Sequence, residues 1–256
     1  MIKDKIKRGN KIIGTHLTMG NYWIADIFGM SGIDYVWIDT EHSPLDYEEL
    51  LQCLTVLKAH GTVVFVRTHI DDFNHTKRLL DMGIDGIIFP MVQDTQQAEK
   101  CLSYTYYPPK GIRGFGPNRA LEYGRINAAD YMKHEEALCR FVQIETPLAV
   151  ENLESIVQNE DIDGFIIGPC DMAVSCGVLN NPWNEQAIAV IWKAIEILKK
   201  HGKYVGVSIG DTDRDTQKKW LDMGVDMISA GSDTDYVFKG IINNSRQLSE
   251  LISSPL

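Results

Sequence analysis

The segment Leu80-Asp-Met-Gly-Ile-Asp-Gly-Ile-Ile-Phe-Pro90 decides the fold. It opens as the end of a helix and stops at Gly83, the residue type that closes helices in the left-handed conformation. An aspartate follows, then a short apolar run, Gly86–Pro90, of the kind that lies buried on both faces in a parallel sheet. Nearly the same segment returns at Leu221-Asp-Met-Gly-Val-Asp226, ahead of the run Asp226–Ala230. Gly32-Ile-Asp34 and Asp161-Ile-Asp163 lead into two further runs in the same way. Helix, stop, aspartate and buried strand therefore form a repeating unit.

Eight such runs line the chain: Lys11–Thr18, Tyr35–Asp39, Val63–Arg67, Gly86–Pro90, Phe141–Glu145, Gly164–Gly168, Tyr204–Ile209 and Asp226–Ala230. Amphipathic stretches separate them. Leu50, Leu51, Leu54 and Leu57 form one stripe behind a capping box of Asp46 and Glu49. Ile188, Ile191, Trp192, Ile195 and Leu198 form another. Gly61, Gly202 and Gly224 repeat the stop at Gly83, and His60 and His201 precede two of these stops, where a partial positive charge favours a helix end.

Eight strands each followed by a helix, in 256 residues, predict a single (β/α)8 barrel spanning residues 1–256. A doubly wound sheet is the rival, but Gly14-Thr-His-Leu-Thr-Met-Gly20 is not the Gly-rich fingerprint such folds carry after their first strand. Asp34, Asp85, Asp163 and Asp226 then enter even-numbered strands at the N-terminal face, where recurrence serves stability. Residues 104–140 break the rhythm. Their length, their aromatics and Tyr-Pro-Pro-Lys-Gly-Ile-Arg-Gly-Phe-Gly-Pro suggest a functional loop, helical over Ala128–Ala137.

Composition narrows the function. Lys plus Arg is 25 against 35 for Asp plus Glu, a net charge of −10, which argues against nucleic acid and anionic membranes. No apolar run approaches the roughly 20 residues of a membrane span, and none follows the basic N-terminus as a signal peptide would require. These features predict a cytoplasmic protein. The 5 cysteines (Cys53, Cys101, Cys139, Cys170, Cys176) lack C-x-x-C spacing, and Cys53 and Cys101 read as small core residues.

Barrel enzymes place their chemistry at the C-terminal strand ends. Those ends are Asp39-Thr-Glu41-His42, Arg67-Thr-His69, Pro90-Met-Val-Gln93, Gln143-Ile-Glu145, Gly168-Pro-Cys170-Asp171 and a seventh near Ser208. Glu145 and Asp171 come from adjacent strands and suit Mg2+ or Mn2+, which take hard oxygen ligands and keep several waters. The plainer reading of Glu145 is an ion-paired carboxylate, and of Asp171 a helix cap. Histidine is the residue type suited to general-base work near neutral pH, and His42 stands beside Asp39 and Glu41, which could orient it as a general base. Arg67 offers a donor fork for a carboxylate or an enolate oxygen, or an ion pair to Asp39 or Glu145. His69 and His75 read as surface residues or as supports behind the site. His16 and His134 carry no assignment.

The sequence resembles the HpcH/HpaI aldolase family from about Gly14 to about Val237. The resemblance rests on Ile38-Asp-Thr-Glu-His42, Val66-Arg67, Pro90-Met-Val-Gln93, Tyr107-Pro-Pro-Lys-Gly-Ile-Arg-Gly114, Arg119-Ala-Leu-Glu-Tyr-Gly124, Gln143-Ile-Glu-Thr146 and Ile167-Gly-Pro-Cys-Asp171. It implies a class II aldolase that reversibly cleaves a 4-hydroxy-2-oxo acid to pyruvate and an aldehyde through a metal-stabilised enolate. Glu145 and Asp171 would hold Mg2+ or Mn2+, with Co2+ a third candidate. Gln143 and the Cys170–Asp171 backbone would touch the substrate, His42 would act as base with Asp39, and Arg67 would stabilise the enolate. Asp81 matches the aspartate that raises the basicity of that histidine. The resemblance also implies a homo-oligomer, commonly a hexamer that exchanges its last helix, acting in catabolism of aromatic or sugar acids. No lysine stands at a strand end for Schiff-base chemistry. This chain departs from the family pattern at Thr40 (usually Gly), Met172-Ala173 (usually Leu-Ser) and His16 (commonly aromatic). Two alternatives remain open. One is an acyl-CoA ester lyase using Lys110, Arg113, Arg119 and Arg125 as a nucleotide trough; the other is an inactive barrel that binds a keto acid.

Overall fold

A computed structural model describes residues 2–179 and 181–253; the side chain of His134 lies outside what it describes. Among these residues eight parallel strands close a barrel in chain order: β1 Ile12–Leu17, β2 Tyr35–Asp39, β3 Val63–Arg67, β4 Gly86–Phe89, β5 Cys139–Ile144, β6 Gly164–Ile167, β7 Val205–Ile209 and β8 Met227–Ser232. β8 pairs back onto β1, with Ile12 opposite Met227. The fold expected from sequence is the fold observed, with strand limits shifted by up to two residues.

Two apolar cores hold it together. Val36, Ile38, Val64, Val66, Ile87 and Val142 face outward and pack against the helices. Tyr35, Trp37, Phe65, Ile88, Phe141, Ile166 and Met227 fill the interior. Glycines on neighbouring strands make room for the rings, since a Cβ at Gly14 would overlap Tyr35, at Gly86 Phe65 and at Gly164 Phe141. A helix absent from the sequence reading, Ile2–Lys7, seals the lower end by inserting Ile6 among Ile12, Cys139 and Tyr204.

The helix signals hold. Asp46 and Glu49 form the reciprocal capping box of helix Tyr47–Ala59, and Gly61, Gly83, Gly202 and Gly224 all have positive φ. Cys53 and Cys101 are buried in the outer core. One expected core residue is not there. Trp192 lies half-exposed on its helix and donates its indole N–H to Glu196, while Ile191, Ile195 and Leu198 carry the packing.

The recurring aspartates share one construction. Each accepts the backbone N–H of the preceding odd strand: Asp34 from Ile13 at 3.0 Å, Asp85 from Val64 at 2.8 Å, Asp163 from Arg140 at 2.9 Å and Asp226 from Val205 at 2.9 Å. Each returns its own N–H to the carbonyl of that same residue. Each also meets a lysine: Lys5, Lys58, Lys3 and Lys199 respectively. The aspartate thus satisfies a donor at the strand entrance that sheet pairing leaves free.

The stretch over residues 104–140 lies at this same end. It joins helix Thr95–Ser103, which has run back from the strand tips, to the start of β5. Tyr106 and Lys110 bond Asp161, Arg119 bonds the carbonyl of Met82, and Ala120 bonds that of Asp81. Ala128–Ala137 is helical as expected.

Candidate active site

Register places the central pair. Asp39 and Arg67 end β2 and β3 directly opposite one another, so their side chains leave the same face together. Arg67 donates Nε to Oδ1 of Asp39 at 2.9 Å and Nη2 to Oδ2 at 2.5 Å. Glu41 Oε2 sits 3.1 Å from Nη1, and the guanidinium lies 5.5 Å from the centre of the Trp37 ring. At 8% exposure this ion pair is nearly dry. Burial opposes ionisation of Asp39, but the two Arg67 bonds outweigh it and hold the carboxyl below its usual range. Of the two ion pairs open to Arg67, the one to Asp39 is formed, and Glu41 adds a second.

Arg67 reaches across the mouth to β5. Its Nη1 lies 3.5 Å from Oε1 of Gln143, whose amide donates to Oε1 of Glu145. Glu145 is 2% exposed and takes a second bond, at 3.0 Å, from the Met91 N–H. Met91 has φ +55, a left-handed conformation that a side chain disfavours. Gly168, ahead of helix Pro169–Ser175, leaves space for the same carboxylate, because a Cβ there would strike Glu145 Oε1. Burial, and then the charge of Asp171, push Glu145 up to about 7. Asp171 stands in the first turn of helix Pro169–Ser175, and Gly168, not Asp171, is the cap. Cys170, in that turn, is exposed.

His42 stands at the rim with its side chain 62% exposed and Nε2 3.9 Å from Glu41 Oε2. Asp39 does not hold its ring. Oδ1 of Asp39 instead accepts the backbone N–H groups of Glu41 at 3.0 Å and His42 at 3.4 Å, shaping the turn that carries the ring. Asp81 stands apart from this cluster. It ends helix Phe73–Asp81, which returns to the strand entrances, so the fold puts it at the other end of the barrel from His42 of the same chain. Its carboxylate pairs there with Arg113 at 2.8 Å.

Several contributors escaped the sequence. Met91 acts through its backbone, for which no residue type signals. His16 faces the mouth from β1; Nδ1 donates to the Gly231 carbonyl at 2.8 Å, which leaves Nε2 to accept from Ser208 at 2.9 Å. Its ring lies 5.1 Å from that of Trp37, and burial lowers its pKa. Of the two readings of His75, the buried support behind the site is the one observed.

The arrangement can bind an anionic oxo acid. Arg67 supplies a fixed positive fork, Glu145 and Asp171 a carboxylate pair, and His42 an exposed imidazole at the rim. Residues 13–239 match the family described as HpcH/HpaI aldolase/citrate lyase. The chain belongs to this family. A 4-hydroxy-2-oxo-heptane-1,7-dioate aldolase of Salmonella dublin is 34% identical over 241 residues, covering 93% of this chain and 90% of that protein. The crystal structure of an HpcH/HpaI aldolase from Desulfitobacterium hafniense DCB-2 superposes with a TM-score of 0.88 at 25% identity, covering 100% of this chain and 98% of that one. A family protein from Burkholderia cenocepacia J2315 has the same fold, with a TM-score of 0.88 at 23% identity and 99% of each chain covered. The basic trough of the acyl-CoA alternative finds no support in the structure. Lys110, Arg113 and Arg125 are engaged by Asp161, Asp81 with Glu135, and Glu122. They and Arg119 belong to the segment at the strand entrances.

Proposed function

We propose that this chain is a divalent-metal-dependent aldolase that reversibly cleaves a 4-hydroxy-2-oxo acid to pyruvate and an aldehyde. The observation that carries the reading is the single cluster in which a buried, raised-pKa Glu145 lies in the field of Asp171 beside the fixed Arg67 fork. The donor set fits a hard cation. Among the described residues no group of three or more His, Cys, Asp or Glu could hold a metal; a site built on the two carboxylates Glu145 and Asp171 would leave the other positions to water and substrate, as Mg2+ and Mn2+ prefer. Arg67 cannot neutralise the pair, being already engaged by Asp39 and Glu41. A cation held by Glu145 and Asp171 would polarise the carboxylate and 2-oxo oxygens of the substrate.

The chain's own residues do the rest. Gln143 and the Cys170–Asp171 backbone orient the oxo acid against Arg67. In cleavage, His42 Nε2 takes the proton of the C4 hydroxyl, the C3–C4 electrons move to the C2 oxygen, and the aldehyde departs. Arg67 Nη1 stabilises the charge that develops on that oxygen, and transfer of a proton to C3 from the protonated His42, directly or through water, gives pyruvate and restores the base. The exposed apolar residues Phe238, Ile241, Leu251 and Ile252 on helix Asp233–Ser253 support assembly into a homo-oligomer.

The test is to incubate the protein with Mg2+ or Mn2+ and pyruvate in D2O and follow the methyl signal by NMR. The signal is expected to fade, and to persist with EDTA or in Glu145→Ala. A metal-supplied wild type that leaves the methyl group unexchanged overturns the reading.

A further inference from the structure

We propose that Tyr47, His75 and Thr40 form a hydrogen-bonded positioning relay that fixes the turn carrying Asp39, Glu41 and His42. The proposal rests on the aldolase reading for its catalytic consequence, though not for its geometry. Thr40 follows β2, Tyr47 opens helix Tyr47–Ala59, and His75 lies on helix Phe73–Asp81. The relay therefore ties the two helices that follow β2 and β3 to the turn at the tip of β2.

Donor directions are set from one end. The Arg67 carbonyl can only accept, so the Thr40 hydroxyl, 2.5 Å away, donates to it. With its one proton spent, Thr40 Oγ1 must accept from His75 Nε2 at 2.9 Å. A neutral His75 then has a bare Nδ1, which takes the Tyr47 hydroxyl proton at 2.8 Å. Each link fixes the next, from Tyr47 through the imidazole and hydroxyl to the backbone of Arg67. The Thr40 carbonyl is gripped as well, by His69 Nε2 at 2.8 Å. The His69 ring lies flat on His75, centroids 3.9 Å apart and planes 3° from parallel.

The surroundings keep the tautomer. His75 is 6% exposed. The charged or titratable groups facing it are His69, Asp72 and Arg78, with Tyr47 at its edge. Burial dominates and pushes His75 down to about 4, so it stays neutral near pH 7. Thr40 is also where this chain departs from the glycine usual in the family pattern. A glycine would have no hydroxyl to link His75 to the turn, so the relay belongs to the residues of this chain.

Thr40, His75 and Tyr47 act through Asp39, Arg67 and His42, which makes them positioning residues. The test combines pyruvate methyl exchange with hydrogen–deuterium exchange of the peptide spanning Asp39–Ser43. Thr40→Val and Tyr47→Phe are expected to lower kcat about 10-fold, the lower range for groups that orient catalytic residues, with KM nearly constant. Both should speed amide exchange across Thr40–His42, whose N–H groups bond Arg67 and Asp39. Thr40→Ser keeps the hydroxyl and should restore both readouts. Equal loss in Thr40→Val and Thr40→Ser would overturn the relay in favour of a steric role for Thr40. Wild-type amide exchange in Thr40→Val and Tyr47→Phe would also overturn it. If the wild type fails to exchange pyruvate, the aldolase reading falls, and amide exchange alone still decides the relay.

Discussion

Replacing Asp226 tests how the strand entrances are held. Its carboxylate accepts the Val205 N–H at 2.9 Å and pairs with Lys199, and Val205 is fully buried. Asp226→Ala removes both contacts. Leaving a buried donor without a partner costs about 1–3 kcal/mol, while an ion pair with a half-open lysine adds about 0–1 kcal/mol. The expected loss is about 2–3 kcal/mol. At roughly 2–4 °C per kcal/mol for a chain of this size, Tm falls by about 5–10 °C. Asp226→Asn keeps an oxygen for the N–H and should lose only about 1 kcal/mol, and Lys199→Ala should lose no more than that. Asp34→Ala should also be mild, because Ile13 is exposed and water can replace the carboxylate. The assay is thermal unfolding followed by circular dichroism at fixed protein concentration, so that assembly does not shift the midpoints. If Lys199→Ala costs as much as Asp226→Ala, the ion pair and not the backbone bond holds the entrance, and the reasoning fails.

Three further outcomes follow from the site and its surface. Arg67→Lys should lower kcat for pyruvate exchange about 10²–10³-fold, because a lysine cannot hold Asp39 through two bonds and still present a donor to the developing oxyanion; wild-type kcat in this variant would remove Arg67 from the chemistry. His75, held near 4 against an ordinary 6.5, refuses a proton that the unfolded chain accepts between those values. Stability is therefore full above pH 6.5 and falls as pH drops toward 4, by about 3 kcal/mol at most; Tm against pH should be flatter in His75→Gln, and an unchanged slope would refute this. Phe238→Glu with Ile241→Glu should give a smaller species by light scattering if the outer face of helix Asp233–Ser253 packs against another copy; an unchanged mass would clear that face of the role.

Much of the barrel was legible because its signals are local. The stop at Gly83 and the capping box at Asp46 concern residues within one turn of each other, and Gly86–Phe89 is buried on both faces whatever its neighbours are. The pairing of Asp39 with Arg67 was half legible. Both were placed at strand ends, but only the register makes them opposite one another. The helix Ile2–Lys7 was missed because six residues with a single buried apolar side chain carry no periodicity. The long segment over 104–140 was legible as a break in the rhythm, but its place was not: it joins a helix to a strand, and such joints fall at the strand entrances. The place of Asp81 follows from the same geometry. A motif aligns residues along the chain, whereas the helix between Phe73 and Asp81 carries the aspartate away from the mouth where His42 stands.

The two ends of the barrel use the same carboxylates to different effect, and burial decides which. At the entrances Asp34, Asp85, Asp163 and Asp226 each find a backbone N–H and a lysine, so their charge is matched inside the chain and the contact is purely stabilising. At the mouth Asp39 finds Arg67, and that match is also complete. Glu145 differs. It is buried as deeply as any of these, but its partners are an amide and one N–H, and the charge of Asp171 pushes it further from ionisation. A chain that gives Asp39 a cation, yet hydrogen-bonds Glu145 with neutral groups and spends a strained Met91 and a bare Gly168 to position it, leaves a negative pair poised for a positive ligand from outside. Glu145→Gln separates the two possible reasons for that arrangement. It removes the unfavourable charge, so the metal-free protein should be at least as stable as wild type in thermal unfolding. The rise in Tm on adding Mn2+ should disappear. A loss of metal-free stability instead would show that the Glu145 carboxylate serves the fold, and the site would lose its strongest claim to a cation.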